Sequence, residues 1–360
     1  MSDKIKNLKE NLEKFDKKDF NVFFFVVDTE GQANGSLAYI YETAYTLKEN
    51  GYNVKILHAE KEFVGVGEWL GEKYASLPHE LIDKNTNLTV SPSDFLFIQE
   101  VHSSALAATK QLPCKRVVIL QNFSYLEETC PMGVSFDDLK IRDCIVPTEA
   151  LKEKMHKFFP EINTEVVHRS IPSFFKERGN GDLIINVIAE NQTDVNAIIK
   201  PFYWKYPQYK WVAFRPIPNN LSREKFAETL GSSFATIWCD TKTDCGQNAL
   251  EAMASGNIVI GKVPEDYSDF IFDGEGSIRD NGLWFFNSSE ACDIIANVIR
   301  AFLTDTLPEV FKQEAEKTVE VYSVERREKE TLSVYSEIFN RRKAEIEKLI
   351  EYYKTKKEEN

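Results

Sequence analysis

The residues best suited to chemistry lie in one short stretch, residues 240–262 (DTKTDCGQNALEAMASGNIVIGK). An apolar run, ATIWC at 235–239, ends just before it, and Gly246 precedes a helical pattern that starts near Gln247. Gln247, Asn248 and Ala249 then fall in the first helical turn. Amide N–H groups at a helix start lack a carbonyl partner within the helix, and the dipole is positive there, so such a start binds anions. Glu251 falls about one turn further in, where its carboxylate can reach a second part of the same ligand. A phosphate on the helix start with a carboxylate near a ribose is nucleotide-binding geometry. A plain glycine turn followed by a solvated glutamate has the same spacing, and the spacing alone leaves both readings open.

The elements that would position this stretch form a strand–helix alternation. Residues 22–27 (VFFFVV) read as a buried parallel strand, followed by a loop containing Gly31, Gly35 and Ser36, a helical pattern over 37–50 and a strand at 54–58. Further strands are expected at 95–99, 117–120, 144–146 and 165–168. Residues 169–182 (RSIPSFFKERGNGD) carry Pro172, Gly179 and Gly181 and read as a linker. The alternation then restarts, with strands at 183–188, 211–214, 235–238, 258–260 and 284–286 and helices between them. Two doubly wound α/β domains follow, and the carboxyl ends of their strands are where ligands are expected. Residues 1–20 form an amphipathic helical pattern through Ile5, Leu8, Leu12 and Phe15, and 307–353 read as nearly continuous helix. Either terminal helix can pack on the body of the protein or serve a peripheral membrane or oligomer contact.

Composition excludes several classes. The chain has 360 residues, 42% of them apolar, enough for two cores. Its net charge of −13 argues against nucleic-acid binding, which needs a basic surface. It lacks an apolar run of 18 residues, and its first 20 residues are too polar for a signal-peptide core, so a cytoplasmic protein is expected. The six cysteines form no C-x-x-C pair and the five histidines are scattered, so free thiols and no metal site are expected. The G-x-G-x-x-G and G-x-S-x-G patterns of dehydrogenases and serine hydrolases are absent.

The run Asn248-Ala249-Leu250-Glu251-Ala252-Met253-Ala254-Ser255-Gly256 resembles the donor-site signature of retaining GT-B glycosyltransferases, the glycogen-synthase-like group 1 class (family 4 type). Residues 143–154, 166–172 and 322–339 resemble, in order, that family's last N-domain strand and helix, its turn into the linker and its closing helix. The resemblance implies two Rossmann-like domains facing across a cleft. These are an acceptor domain over 1–172, a linker over 173–182, a donor domain over 183–315, and a segment over 316–360 whose helix returns to the first domain. It implies a nucleotide sugar, of UDP or GDP type, as co-substrate, with no separate cofactor and no metal, and a saccharide or glycoconjugate acceptor. Glu251 aligns with the glutamate that holds the ribose. Gly246, Gln247, Asn248 and Ala249 align with the helix start that receives the donor phosphates. Gly35 and Ser36 align with the N-domain glycine loop.

The chain also departs from that pattern. The family's first acid falls at Thr243, with Asp244 one residue on, and the expected Arg and Lys after the first C-domain strand are replaced by 189–194 (AENQTD). Arg169, Lys242, Lys262 and Arg215 are the candidate replacement cations, and His102 is the candidate for the family's N-domain histidine. These departures motivate a second expectation, a glycosyltransferase-fold protein that binds or assembles without catalysis. A sugar-nucleotide epimerase fits less well, since only His102 and His168 could serve a cleft.

Overall fold

The computed structural model describes residues 2–82, 88–176, 182–189, 192–218, 221–239, 246–264 and 269–358. The chain divides into two compact units. One comprises Met1–Pro147, Lys152–Val167 and Glu328–Asn360, and the other Thr148–Leu151 and His168–Arg327.

The first unit is built on β1 (Asn21–Phe25), β2 (Asn53–His58), β3 (His79–Leu81), β4 (Phe95–Gln99), β5 (Lys115–Ile119), β6 (Asp143–Val146) and β7 (Asn163–Val166), in the order β3-β2-β1-β4-β5-β6-β7. Every pairing is parallel. The central strands β1 and β4 are nearly continuous apolar runs, as expected where a parallel sheet is covered on both faces. Its helices are α1 (Ser2–Lys17), α2 (Gly35–Glu49), the one-turn α3 (Gly67–Leu70) and α4 (Glu72–Ala75), α5 (Ser103–Ala108), α6 (Phe123–Thr129) and most of α7 (Glu149–Phe158).

The second unit holds β8 (Asp182–Ile188), β9 (Ala213–Pro216), β10 (Ser233–Trp238), β11 (Ile258–Lys262) and β12 (Leu283–Phe285), also parallel, in the order β12-β11-β10-β8-β9. Its helices are α8 (Gln192–Lys205), α9 (Arg223–Gly231), α10 (Gln247–Ala254), α11 (Ser288–Leu303) and α12 (Glu309–Val321). The 35-residue α13 (Val324–Glu358) starts in the second unit and runs on in the first.

α13 completes the core of the first unit. Tyr335 lies 4.8 Å from the Phe97 ring and Phe339 lies 4.5 Å from Phe95. The same helix is anchored electrostatically. Lys115, 9% exposed, pairs with Asp143 at 2.7 Å and with Glu345 at 2.6 Å. Arg341 joins Asp143 and Glu165, each at 2.9 Å. Burial pushes the Glu345 carboxyl up, but Lys115 and Arg342 outweigh it and hold the group below the ordinary glutamate value. A depressed carboxylate stabilises the fold above its unfolded pKa, about 4.3, and the contribution is lost as pH falls through the folded value. Glu345→Gln should therefore lower the melting temperature at pH 7, and the difference from wild type should shrink progressively in melts recorded at pH values below about 4.3.

α1 docks on this unit rather than projecting from it. Phe15 meets Phe95 edge-on at 6.2 Å, Ser93 donates to Asn11 at 2.9 Å, and Lys343 of α13 pairs with Asp16 at 2.7 Å. Two features differ from the sequence expectation. β3 is an additional edge strand of three partly exposed residues, too short and polar to read as a strand. The C-terminal segment, expected as nearly continuous helix over 307–353, is two helices parted at Tyr322–Ser323, where the Ser323 hydroxyl accepts from the Arg326 amide and caps the second.

In the second unit β11 carries a glycine for steric reasons. A Cβ on Gly261 would stand 2.5 Å from Cε3 of Trp284, whose indole N–H is held by Asn281 at 3.1 Å. Gly261→Ala should cost about 1–3 kcal/mol by overpacking, read as a lower midpoint in urea at unchanged slope. Among the described residues the cysteines are free thiols, no group of three or more acidic, histidine or cysteine side chains is placed to hold a metal ion, and no helix is long and apolar enough to cross a membrane.

Candidate functional site

In open parallel sheets, ligands bind outside the carboxyl ends of the strands where the strand order reverses. Each unit has one such point. It lies between β1 and β4 in the first unit and between β8 and β10 in the second. Some of the residues singled out in the sequence follow the strands that flank these two points.

In the second unit Trp238 of β10 pairs in register with Ile188 of β8, so both strands end together. Gly246, at φ 85° and ψ 9°, then turns the chain into α10. That left-handed conformation favours glycine, which has no Cβ to clash. α10 therefore starts at the reversal point, and its N-terminal amides and the positive end of its dipole face that edge. Gln247 and Ala249 are buried and Asn248 is half-buried.

Glu251 is not a solvated helix residue. It is 1% exposed, and its Oε1 accepts from Arg223 Nη2 and from Gln247 Nε2, both at 2.6 Å. The side-chain amide of Gln247 also donates to the Ser170 carbonyl at 3.1 Å. One oxygen of the carboxylate is thus committed to the protein. Among the described residues no donor reaches Oε2, leaving an acceptor of the kind a vicinal diol satisfies.

The candidate cations separate clearly. Arg169 is buried and adjoins Ser170, the residue that touches Gln247. Lys262 is exposed at the end of β11, one residue beyond Gly261, which pairs with Trp238. Arg215 is instead spent inside the unit on Asn186, Thr229 and Ser232, at 2.8, 2.6 and 2.9 Å. Thr243 and Asp244, together with Lys242 and Glu190, lie outside the described residues.

Arg223, which holds Glu251, is a side chain that sequence reading did not single out. It opens α9 directly after the Ser222 cap. A cation in the first turn of a helix opposes the dipole, and that misplacement was the available signal.

In the first unit Gly35 and Ser36 open α2 after β1, with Asn34 capping the helix through its side chain at 2.9 Å from the Leu37 amide. The Ser36 carbonyl accepts from Gln121 Nε2 at 2.9 Å. Glu100 in turn accepts from the Gln121 and Asn122 amides at 3.1 and 2.9 Å. These bonds tie together the loops that follow β1, β4 and β5. His102, after β4, packs edge-on against Phe25, the last residue of β1, at 5.3 Å. Burial pushes its pKa down, against a weaker upward pull from Glu60, which favours the neutral imidazole at pH 7. Its Nε2 is shielded from solvent and has no hydrogen-bond partner among the described residues.

No family model matches the chain. It is 23% identical over 332 residues to an alpha-1,6-glucosyltransferase of Actinobacillus pleuropneumoniae serotype 7 (strain AP76), which covers 89% of this chain and 96% of the relative. Among solved structures it matches a glycosyltransferase of Rickettsia africae at TM-score 0.60 and 14% identity, over 89% of this chain and 98% of that one. It matches Anabaena HepE in complex with UDP-glucose at TM-score 0.58 and 11% identity, over 88% and 99%. It matches the pneumococcal O-GlcNAc transferase GtfA in complex with UDP and GlcNAc at TM-score 0.59 and 10% identity, over 90% and 99%. Two parallel α/β sheets, a long C-terminal helix and end-to-end agreement with these enzymes give the chain the GT-B fold of glycosyltransferases.

Proposed function

We propose that this chain is a glycosyltransferase that moves a sugar from a nucleoside-diphosphate sugar, UDP before GDP, to a saccharide or glycoconjugate acceptor, with retention at the anomeric carbon. The observation that carries this reading is the half-committed carboxylate of Glu251 one turn inside a helix that starts at a strand-order reversal. The glucosyltransferase relative, the UDP-glucose in HepE and the UDP with GlcNAc in GtfA support it.

In this reading the ribose diol donates to Glu251 Oε2, and the diphosphate lies on the start of α10, at Gly246, Gln247, Asn248 and Ala249. Charge develops on the departing diphosphate, and fixed N–H dipoles stabilise it without reorganising. Arg169 and Lys262 supply cationic charge, taking the place of the missing Arg and Lys. Thr243 and Asp244, outside the described residues, take the role that the resemblance gives to the family's first acid, contact with the transferred sugar. Gly35 and Ser36 serve donor binding, and His102 serves catalysis, its neutral imidazole able to accept a hydrogen bond from a hydroxyl. No metal takes part, and the reaction runs in the cytoplasm.

The test is release of UDP from UDP-glucose in the presence and absence of gluco-oligosaccharide acceptors. Acceptor-dependent release, with the anomeric configuration retained in the product, is expected. Binding of UDP with no acceptor-dependent release from UDP-, GDP- or ADP-sugars would replace this reading with the non-catalytic scaffold.

A further inference from the structure

We infer that Arg223 is the positioning residue of the donor site, fixing one oxygen of Glu251 so that the other is presented to the ribose diol. The inference rests on the nucleotide-sugar reading above and goes beyond it, because Arg223 lies outside every segment that resembles a glycosyltransferase motif.

Three observations converge on Arg223. Its Nη2 reaches Glu251 Oε1 at 2.6 Å, with side-chain exposures of 14% for the arginine and 1% for the glutamate. Its guanidinium carbon lies 5.3 Å from the centroid of the Phe175 ring, a residue with no solvent exposure, so the planar group has an aromatic surface to rest on. It also occupies the first turn of α9, where the helix dipole repels a cation, so the local sequence gives no reason for a positive charge there. The pair reaches across 28 residues of chain.

The chemistry follows from the committed oxygen. A carboxylate accepts on two oxygens and turns freely about its terminal torsion. Arg223 and Gln247 both hold Oε1, which stops that rotation and keeps Oε2 in one place. A preset acceptor binds a diol without losing that freedom on association. Arg223 thereby acts on the nucleotide through Glu251 and makes no contact of its own with the reacting atoms.

A double-mutant cycle on UDP affinity tests this, using the full chain and calorimetric titration. Arg223→Met in the wild-type background should weaken UDP roughly 10-fold or more, whereas in a Glu251→Gln background it should change affinity less than about 2-fold. Arg223→Lys, which restores charge without the planar fork, should fall between wild type and Arg223→Met. In turnover the loss should appear in the KM for the nucleotide sugar with kcat nearly unchanged. If Arg223→Met does not fold, Arg223→Lys carries the same cycle with the same sign. Equal losses in both backgrounds would overturn the inference while leaving the donor site standing. Wild-type protein that binds neither UDP nor GDP would overturn the donor-site reading and the inference with it.

Discussion

Glu251→Ala should weaken UDP binding by roughly 10- to 100-fold, the loss of a charged hydrogen-bond acceptor, and should destabilise the protein at the same time. Both effects come from one carboxylate. Removing it takes the acceptor from the ribose diol and takes from Arg223, half-buried against Phe175, the carboxylate it bonds at 2.6 Å. Breaking a buried pair from one side costs about 3–5 kcal/mol. Glu251→Gln separates the two effects, since the amide keeps the shape and one accepting oxygen. Its stability should fall less while its UDP affinity still drops. Calorimetric titration reads the first quantity and urea unfolding the second. A solvated helix glutamate would behave otherwise, with a stability change within about 0.5 kcal/mol and no change in affinity. That outcome would remove Glu251 from the site.

The second large effect lies in the first unit. Asp143→Ala should destabilise that unit by about 3–5 kcal/mol, because Asp143 is 1% exposed and neutralises Lys115 and Arg341 together. Among the described residues Lys115 would then keep Glu345, itself 42% exposed, as its acidic partner. The damage should fall on the docking of α13, whose Tyr335 and Phe339 pack against the β4 core. Hydrogen exchange in α13 should therefore accelerate ahead of exchange in the central strands. If Asp143→Ala melted with wild type, the network would be a set of surface-like pairs with little net value.

The fold was legible because its signals are local and repeated. Runs such as VFFFVV and ATIWC occur where parallel strands are covered on both faces, and glycines mark the turns between them. β3 escaped notice because an edge strand of three residues needs no apolar run. The break in the C-terminal helix turns on a single serine cap, a feature hydrophobic periodicity does not register. At the candidate site, sequence reading placed a helix start after Gly246 and Glu251 one turn in, because that spacing is fixed. It could not choose between a buried ligand-facing carboxylate and a solvated one, since burial is a tertiary property. It missed Arg223 for the same reason, as residues 28 apart meet only after β10 has entered the sheet. Arg215, a plausible cation by position, proved to be bonded within its own unit, and local sequence gives no sign of that.

Hydrogen exchange measured with and without saturating UDP tests the central claim most directly. A ligand held on the start of α10 slows exchange where its phosphates accept the amides and where the helix is stabilised by binding. The account predicts protection concentrated in residues 246–254, with a weaker effect near Arg223, and predicts that Glu251→Gln removes it at the same UDP concentration. Absence of protection with UDP or GDP, or protection confined to residues far from α10, would contradict the assignment of this helix as the donor site.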